Sequence, residues 1–99
     1  MDAYLARAHV DAVTRPLRAI VAPHAGLMYS GQVAAYAYDL VRSSRCTSIV
    51  LVGPSHFVPF DGVSIWPDGA WDTPLGPVSV DRELAQAIMS INAVKAAAA

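Results

Sequence analysis

The chain has 99 residues, 55% of them apolar, with a formal charge of −1 and a mean hydropathy of +0.38. This length suits one small domain, and the scattered Lys and Arg residues give no support to nucleic-acid binding. No apolar run approaches the roughly 20 residues of a membrane helix. There is no signal-peptide pattern, and the single cysteine, Cys46, excludes an intrachain disulfide. We therefore expect a cytoplasmic protein with neither nucleic acid nor membrane as a partner.

The first half of the chain alternates helical and strand-like patterns. The spacing of apolar residues predicts a helix over 4–13, a strand over 18–23 and a helix over 31–41 with Ser30 as its N-cap. The strand pattern is a continuous apolar run, which is typical of a parallel strand covered on both faces.

The second half contains shorter elements separated by turns rich in proline and glycine. We predict strands over 48–52, 62–66 and 78–80, and a last helix over 82–91 with Asp81 as its N-cap. The order helix, strand, helix, strand indicates an α/β fold with a mostly parallel sheet and flanking helices.

Two histidines follow the first two predicted strands. The unit over 18–52 has the length of a βαβ crossover, and ligands bind outside the carboxyl ends of the strands of such sheets. His24 and His56 are therefore expected at the same edge of the sheet. Neutral imidazole binds zinc, iron, copper and nickel, and two such ligands need at least one more. The alternative is that each histidine caps a strand end and bonds to the backbone.

The other candidate ligands are less favourable. Cys46 begins the second predicted strand, which alone would separate it from His56 by roughly 20 Å. Asp61 precedes Gly62 in the pattern of an ordinary turn, and His9 lies on the first predicted helix.

Three further residues are candidates for binding a substrate. Ser55 lies in a sequence that resembles G-x-S-x-G, but Phe57 takes the last position and no helix follows, which argues against a hydrolase nucleophile. Ser55 could still donate a hydrogen bond to a ligand. Gly26 and Tyr29 lie in the loop before a predicted helix N-terminus, which favours anions. The alternative is that the glycine only permits a tight turn.

Three motifs, in order, resemble the signatures of the Memo family, whose bacterial and archaeal members are called AmmeMemoRadiSam system protein B. The resemblance covers about residues 19–88, and its motifs are Pro23-His24-Ala25-Gly26 with Tyr29-Ser30-Gly31, then Leu51-Val52-Gly53-Pro54-Ser55-His56, and Thr73-Pro74-Leu75-Gly76 with Val80-Asp81-Arg82-Glu83.

The resemblance implies a fold similar to class III extradiol dioxygenases, which are non-haem iron enzymes. It implies that His24 and His56 are metal ligands, for iron or copper, in a redox-active pocket. The family's remaining pocket residues come from later in a much longer chain, so the third ligand is not expected here. It also implies a functional link to a radical-SAM protein, and one eukaryotic member is described as a signalling adaptor.

We therefore expect residues 1–99 to form a partial Memo-like domain, the N-terminal part of the family's fold. The expected function is a metal-binding, oxidoreductase-like role on an unknown substrate, incomplete in this chain. Two alternatives stay open: a non-catalytic module that binds a peptide or small acid, and a truncated remnant without function. Whether the chain is an enzyme is not decided by the sequence.

Overall fold

The computed structural model describes residues 1–11 and 13–97. The fold is α/β, as the sequence predicts. In chain order its elements are α1 Asp2–Arg7, α2 Leu27–Arg42, β1 Val63–Ile65, β2 Ala70–Trp71, β3 Val78–Ser79, α3 Arg82–Met89 and β4 Val94–Ala96. The chain divides into two compact units, Met1–Ile49 and Val50–Ala99.

The first unit is the packing of α1 against α2. The buried residues of α2 are small: Gly31, Ala34 and Ala35. The ring of Tyr4 lies on Gly31, and the Gln32 side-chain amide donates a hydrogen bond to the Tyr4 carbonyl at 3.3 Å. Small residues on one face of α2 thus allow the short helix to approach closely.

Both helices of the first unit differ from their predicted bounds. α2 begins at Leu27 with Gly26 as N-cap, one turn earlier than predicted. Ser30 is therefore inside the helix, where its hydroxyl donates to the Ala25 carbonyl at 3.1 Å. The extra turn contains Leu, Met and Tyr, none of which breaks a helix.

The first helix is shorter than the predicted 4–13. α1 spans Asp2–Arg7, and the backbone leaves the helical region at Ala8, with φ −90° and ψ 100°. Residue Ala12, which also falls in that prediction, lies outside the described residues.

The second unit holds two two-stranded sheets. β1 and β4 are parallel, with Val63 opposite Val94 and Ile65 opposite Ala96, and α3 lies between them in sequence. β2 and β3 form an antiparallel hairpin.

The predicted strands over 62–66 and 78–80 and the predicted helix over 82–91 are confirmed with small shifts at their ends. The Asp81 N-cap is also confirmed, because its carboxylate accepts the Leu84 amide at 3.0 Å. β2 and β4 were not predicted.

The predicted strands over 18–23 and 48–52 are wrong for the part of the chain that the structure describes. Neither segment belongs to a sheet there, and Val21, Leu51 and Val52 are 97%, 84% and 90% exposed. A strand exists only where a second backbone satisfies its amides and carbonyls in register. Among the described residues, the parallel pairing goes to β1 and β4 instead of a crossover over 18–52.

The core of the described residues is thin. Its buried apolar residues are all alanines, Ala8, Ala34, Ala35 and Ala85, and no large side chain is fully buried. A buried methylene contributes only about 0.8 kcal/mol, so this core stabilises the chain weakly. Within residues 1–11 and 13–97, no helix has the length and apolar character needed to cross a bilayer.

Candidate functional site

The two motif histidines lie on exposed, irregular segments in different units. His24 is two residues before Gly26, the N-cap of α2. His56 lies in the loop before β1, with its ring centroid 6.4 Å from that of Phe57 in an edge-to-face arrangement. His24 belongs to the first compact unit and His56 to the second. That their imidazole rings lie at the same edge of one sheet therefore stays a prediction.

The loop before α2 is built around the Gly26 carbonyl. That oxygen accepts the amides of Tyr29 at 2.8 Å and Ser30 at 3.1 Å, which starts the helix. The Tyr29 ring passes beside Gly26, 3.4 Å from where a Cβ would stand, and 82% of the Tyr29 surface is exposed. Tyr29 and Gly26 thus lie together, close in sequence to His24.

Ser55 lines an open hollow of about 370 Å³ in the second unit, between the loop that precedes β1 and β1 itself. Its hydroxyl donates to the Val58 carbonyl at 2.7 Å and accepts the Val58 amide at 3.4 Å. These bonds close a local turn. The next element after Ser55 is the strand β1 and not a helix, so the geometry lacks the strand–turn–helix of a nucleophile elbow.

A neighbouring hollow of about 550 Å³ brings Asp61, Ser64 and Lys95 around apolar walls that include Phe60. Lys95 is not among the site residues that the sequence predicts. The parallel register places Lys95 opposite Ser64, and no local pattern signals a pairing between residues so far apart in the chain.

A metal ion would need more than the two imidazoles. In the described part of the chain, no three His, Cys, Asp or Glu side chains come close enough to hold one. The Cys46 sulfur accepts a hydrogen bond from the Ser44 hydroxyl at 3.0 Å, within a turn. The described residues therefore do not form a metal centre by themselves, since two imidazoles supply only part of a ligand set.

The fold is α/β, and the two motif histidines lie in its loops, whereas Tyr29, which the sequence places in a loop, lies in the first turn of α2. The family described as Memo-like protein matches residues 1–98 of this chain. The chain therefore belongs to the Memo family, and the match is wider than the 19–88 that the motifs predict.

Curated relatives carry the same family name. A MEMO1 family protein of Methanothermobacter thermautotrophicus is 49% identical over 76 residues, which is 76% of this chain and 27% of that protein. A MEMO1 family protein of Pyrobaculum aerophilum is 54% identical over 71 residues, 71% of this chain and 25% of its own. One from Thermotoga neapolitana is 40% identical over 72 residues, 72% and 26% respectively. The chain thus spans about a quarter of the length of these relatives. No solved structure matches it.

Proposed function

We propose that this chain contributes His24 and His56 as two imidazole ligands to an iron or copper site with an oxidoreductase-like role. The observation that carries the proposal is that both histidines lie on exposed loops inside the region that matches the Memo family. Imidazole is a ligand that suits both metals. The third ligand would come from outside this chain. Because the described residues do not complete a ligand set, no reaction step follows from them alone.

Metal titration of the purified chain tests this proposal directly. Anaerobic iron(II) and, separately, copper(II) are titrated by calorimetry into the wild-type chain and into His24→Ala and His56→Ala. We expect each substitution to weaken binding about tenfold or more, which corresponds to about 1.4 kcal/mol, because it removes one of the imidazole ligands. His9→Ala is the matched control, because His9 is also exposed but lies outside the three motifs. Measurable metal binding that is equally tight in all four proteins would contradict the proposal.

A second candidate function is the binding of a peptide or small acid without chemistry. The observation that favours it is the hollow of about 370 Å³ lined by Ser55, which is within the range of about 300–1,000 Å³ typical of ligand pockets. Gly26, the N-cap of α2, and Tyr29, in the first turn of α2, are the other residues proposed to contact such a ligand. Elemental analysis separates the two functions: stoichiometric iron or copper in the purified protein favours the metal site, and a metal-free protein that binds small carboxylic acids favours this one.

The proposed setting is the cytoplasm, with a radical-SAM protein as the functional partner and a small molecule or peptide as the ligand. The chain's net charge of −1 gives no attraction to nucleic acid or to anionic membranes. Co-purification of this chain with a co-expressed radical-SAM protein from the same source, against His56→Ala as a comparison, tests the partnership.

A further inference from the structure

The two tryptophans of the chain, Trp66 and Trp71, lie side by side in the second unit and are called here the tryptophan pair. Their ring centroids are 5.9 Å apart and their planes are inclined at 56°, so the two indoles meet at an angle. Trp66 is 37% exposed and Trp71 is 60% exposed, although each ring borders the other. The tryptophan pair is therefore an angled aromatic surface that a ligand can reach.

A short turn fixes the backbone that carries both rings. The turn Pro67-Asp68-Gly69 follows Trp66, and β2 begins directly after it. The Gly69 carbonyl accepts the Val80 amide at 2.9 Å, next to the pairing of β2 with β3. The Trp66 indole nitrogen lies 4.0 Å from where a Cβ of Gly69 would stand. The position of the pair is thus set by contacts within residues 66–80, all of which belong to one unit.

The tryptophan pair lies in an acidic part of the chain. Residues 46–81 contain four Asp and no Glu, Lys or Arg, a formal charge of −4, whereas the whole chain carries −1. Asp68 and Asp72 are exposed, and neither forms an ion pair within residues 1–11 and 13–97. Each is one or two residues from a tryptophan, so their Cα atoms are within roughly 7 Å. That distance is inside the Debye length of about 10 Å at 0.1 M ionic strength.

The aromatic faces and the negative charge together favour a cation. An indole face attracts a cation through its quadrupole, and tryptophan is the best side chain for this contact. An apolar cover, from another protein or from the rest of a longer family domain, would suit the rings. It would also desolvate the Asp68 and Asp72 carboxylates without a counter-charge, which is unfavourable. An alkylated ammonium ion suits both features, because it presents a positive charge through a shell of methyl groups.

We propose that the tryptophan pair binds the alkylated ammonium group of a small molecule. Trp66 and Trp71 supply the aromatic faces, and Asp68 and Asp72 supply the negative potential around them. The site is independent of the proposed metal site, because it uses neither motif histidine.

Tryptophan fluorescence tests this proposal, because both tryptophans of the chain belong to the pair. Tetramethylammonium chloride is titrated into the whole chain at constant ionic strength, with a chelator present. tert-Butanol, which is uncharged and of similar shape, is titrated in parallel. We expect a saturable change with tetramethylammonium, and binding of tert-butanol that is weaker by about tenfold or more, since it lacks the cation–π contacts with both rings.

Substitutions separate the aromatic from the electrostatic contribution. Trp66→Leu keeps apolar bulk, leaves Trp71 as the fluorophore and should weaken tetramethylammonium binding about two- to fivefold. Asp72→Asn touches neither ring and should weaken it by about the same factor, less so at high salt. Glu83→Gln is the matched control, because it removes the same charge from α3, outside the hairpin, and should bind like wild type. If Trp66→Leu does not fold, Asp72→Asn and the two probes on wild type still decide.

Three results would overturn the proposal. One is the absence of a saturable change with tetramethylammonium in wild type. Another is equally tight binding of tert-butanol, which would show a merely apolar face that the rest of a longer domain could cover. The third is tighter binding of ethylguanidinium than of tetramethylammonium, which would assign the tryptophan pair to an arginine side chain of a protein partner.

Discussion

The ring of Tyr4 in α1 lies so close to Gly31 of α2 that a Cβ on Gly31 would stand 2.9 Å from Tyr4 Cε2. The same residue of α1 also accepts the Gln32 side-chain amide through its carbonyl. The other side-chain atom of that amide, Gln32 Oε1, is buried without a hydrogen-bond partner in the described residues. The close contact between α1 and α2 therefore requires a residue without a Cβ atom at Gly31.

Gly31→Ala should loosen this contact. Alanine favours the helical backbone by about 1 kcal/mol relative to glycine, but its methyl group would displace the Tyr4 ring. We expect faster amide hydrogen exchange at Ala34 and Ala35, which are buried on the same face of α2.

Tyr4→Ala supplies the control for this substitution. Without the ring, Gly31→Ala keeps its helical advantage and meets no obstacle, so exchange at α2 should become slower than in Tyr4→Ala alone. Equal effects of Gly31→Ala in both backgrounds would show that the ring is not the cause.

Gly62→Ala should break the pairing of β1 with β4. Gly62 has φ +87°, a conformation that costs an L-residue about 1–2 kcal/mol, and a Cβ there would stand 2.5 Å from the Ala93 carbonyl oxygen. That oxygen accepts the Val63 amide at 2.9 Å. We expect the Val63 and Ala97 amides to lose their protection from hydrogen exchange. Gly53→Ala is the control, because a Cβ on Gly53 meets nothing within 4 Å. Protection that survives Gly62→Ala would contradict this account.

The elements that the sequence predicts well are those that short-range physics decides. The start of α3 is indicated by its N-cap residue, Asp81. The Asp81 carboxylate accepts a hydrogen bond from the amide of Leu84, three residues later in the chain. β4 could not be predicted in this way, because Val94–Ala96 becomes a strand only through its pairing with β1, about thirty residues away.

The prediction of a strand over 48–52 fails in the opposite direction: a strand is predicted where the structure has none. The residues of this segment favour a strand, but in the described chain no second backbone pairs with it as a strand. Among the candidate site residues, the sequence predicts His24 and His56 from their motifs, and their role as metal ligands stays a prediction. The sequence does not predict Lys95 as a site residue. Lys95 lines the same hollow as Asp61 only because β4 pairs in register with β1.

Asp81→Ala should destabilise α3. The substitution removes the side-chain acceptor of the Leu84 amide, and N-cap losses of this kind cost about 0.5–2 kcal/mol. The helix has eight residues, so fraying of its first turn should lower the helical circular dichroism signal and expose the Leu84 amide to exchange. Asp81→Asn keeps an acceptor oxygen and should retain most of the protection. An unchanged Leu84 exchange rate in Asp81→Ala would show that the cap contributes nothing.

Thr73→Val should open the hairpin of β2 and β3. The Thr73 hydroxyl donates to the Gly76 carbonyl at 2.6 Å, alongside a backbone pair in which the Gly76 amide donates to the Thr73 carbonyl at 2.8 Å. Valine keeps the shape of threonine but leaves the Gly76 carbonyl with one donor fewer, which costs about 1 kcal/mol.

A pair of tryptophans, of which Trp71 belongs to β2, reports this loss. Trp66 and Trp71 have ring centroids 5.9 Å apart at 56°, close enough for their electronic transitions to couple in circular dichroism. We expect Thr73→Val to weaken the coupled signal, and Thr73→Ser, which restores the hydroxyl, to retain it. Trp66→Phe removes one partner and gives the baseline without coupling. A coupled signal that Thr73→Val leaves at full strength would mean that the backbone bonds of the turn hold β2 against β3 without the hydroxyl.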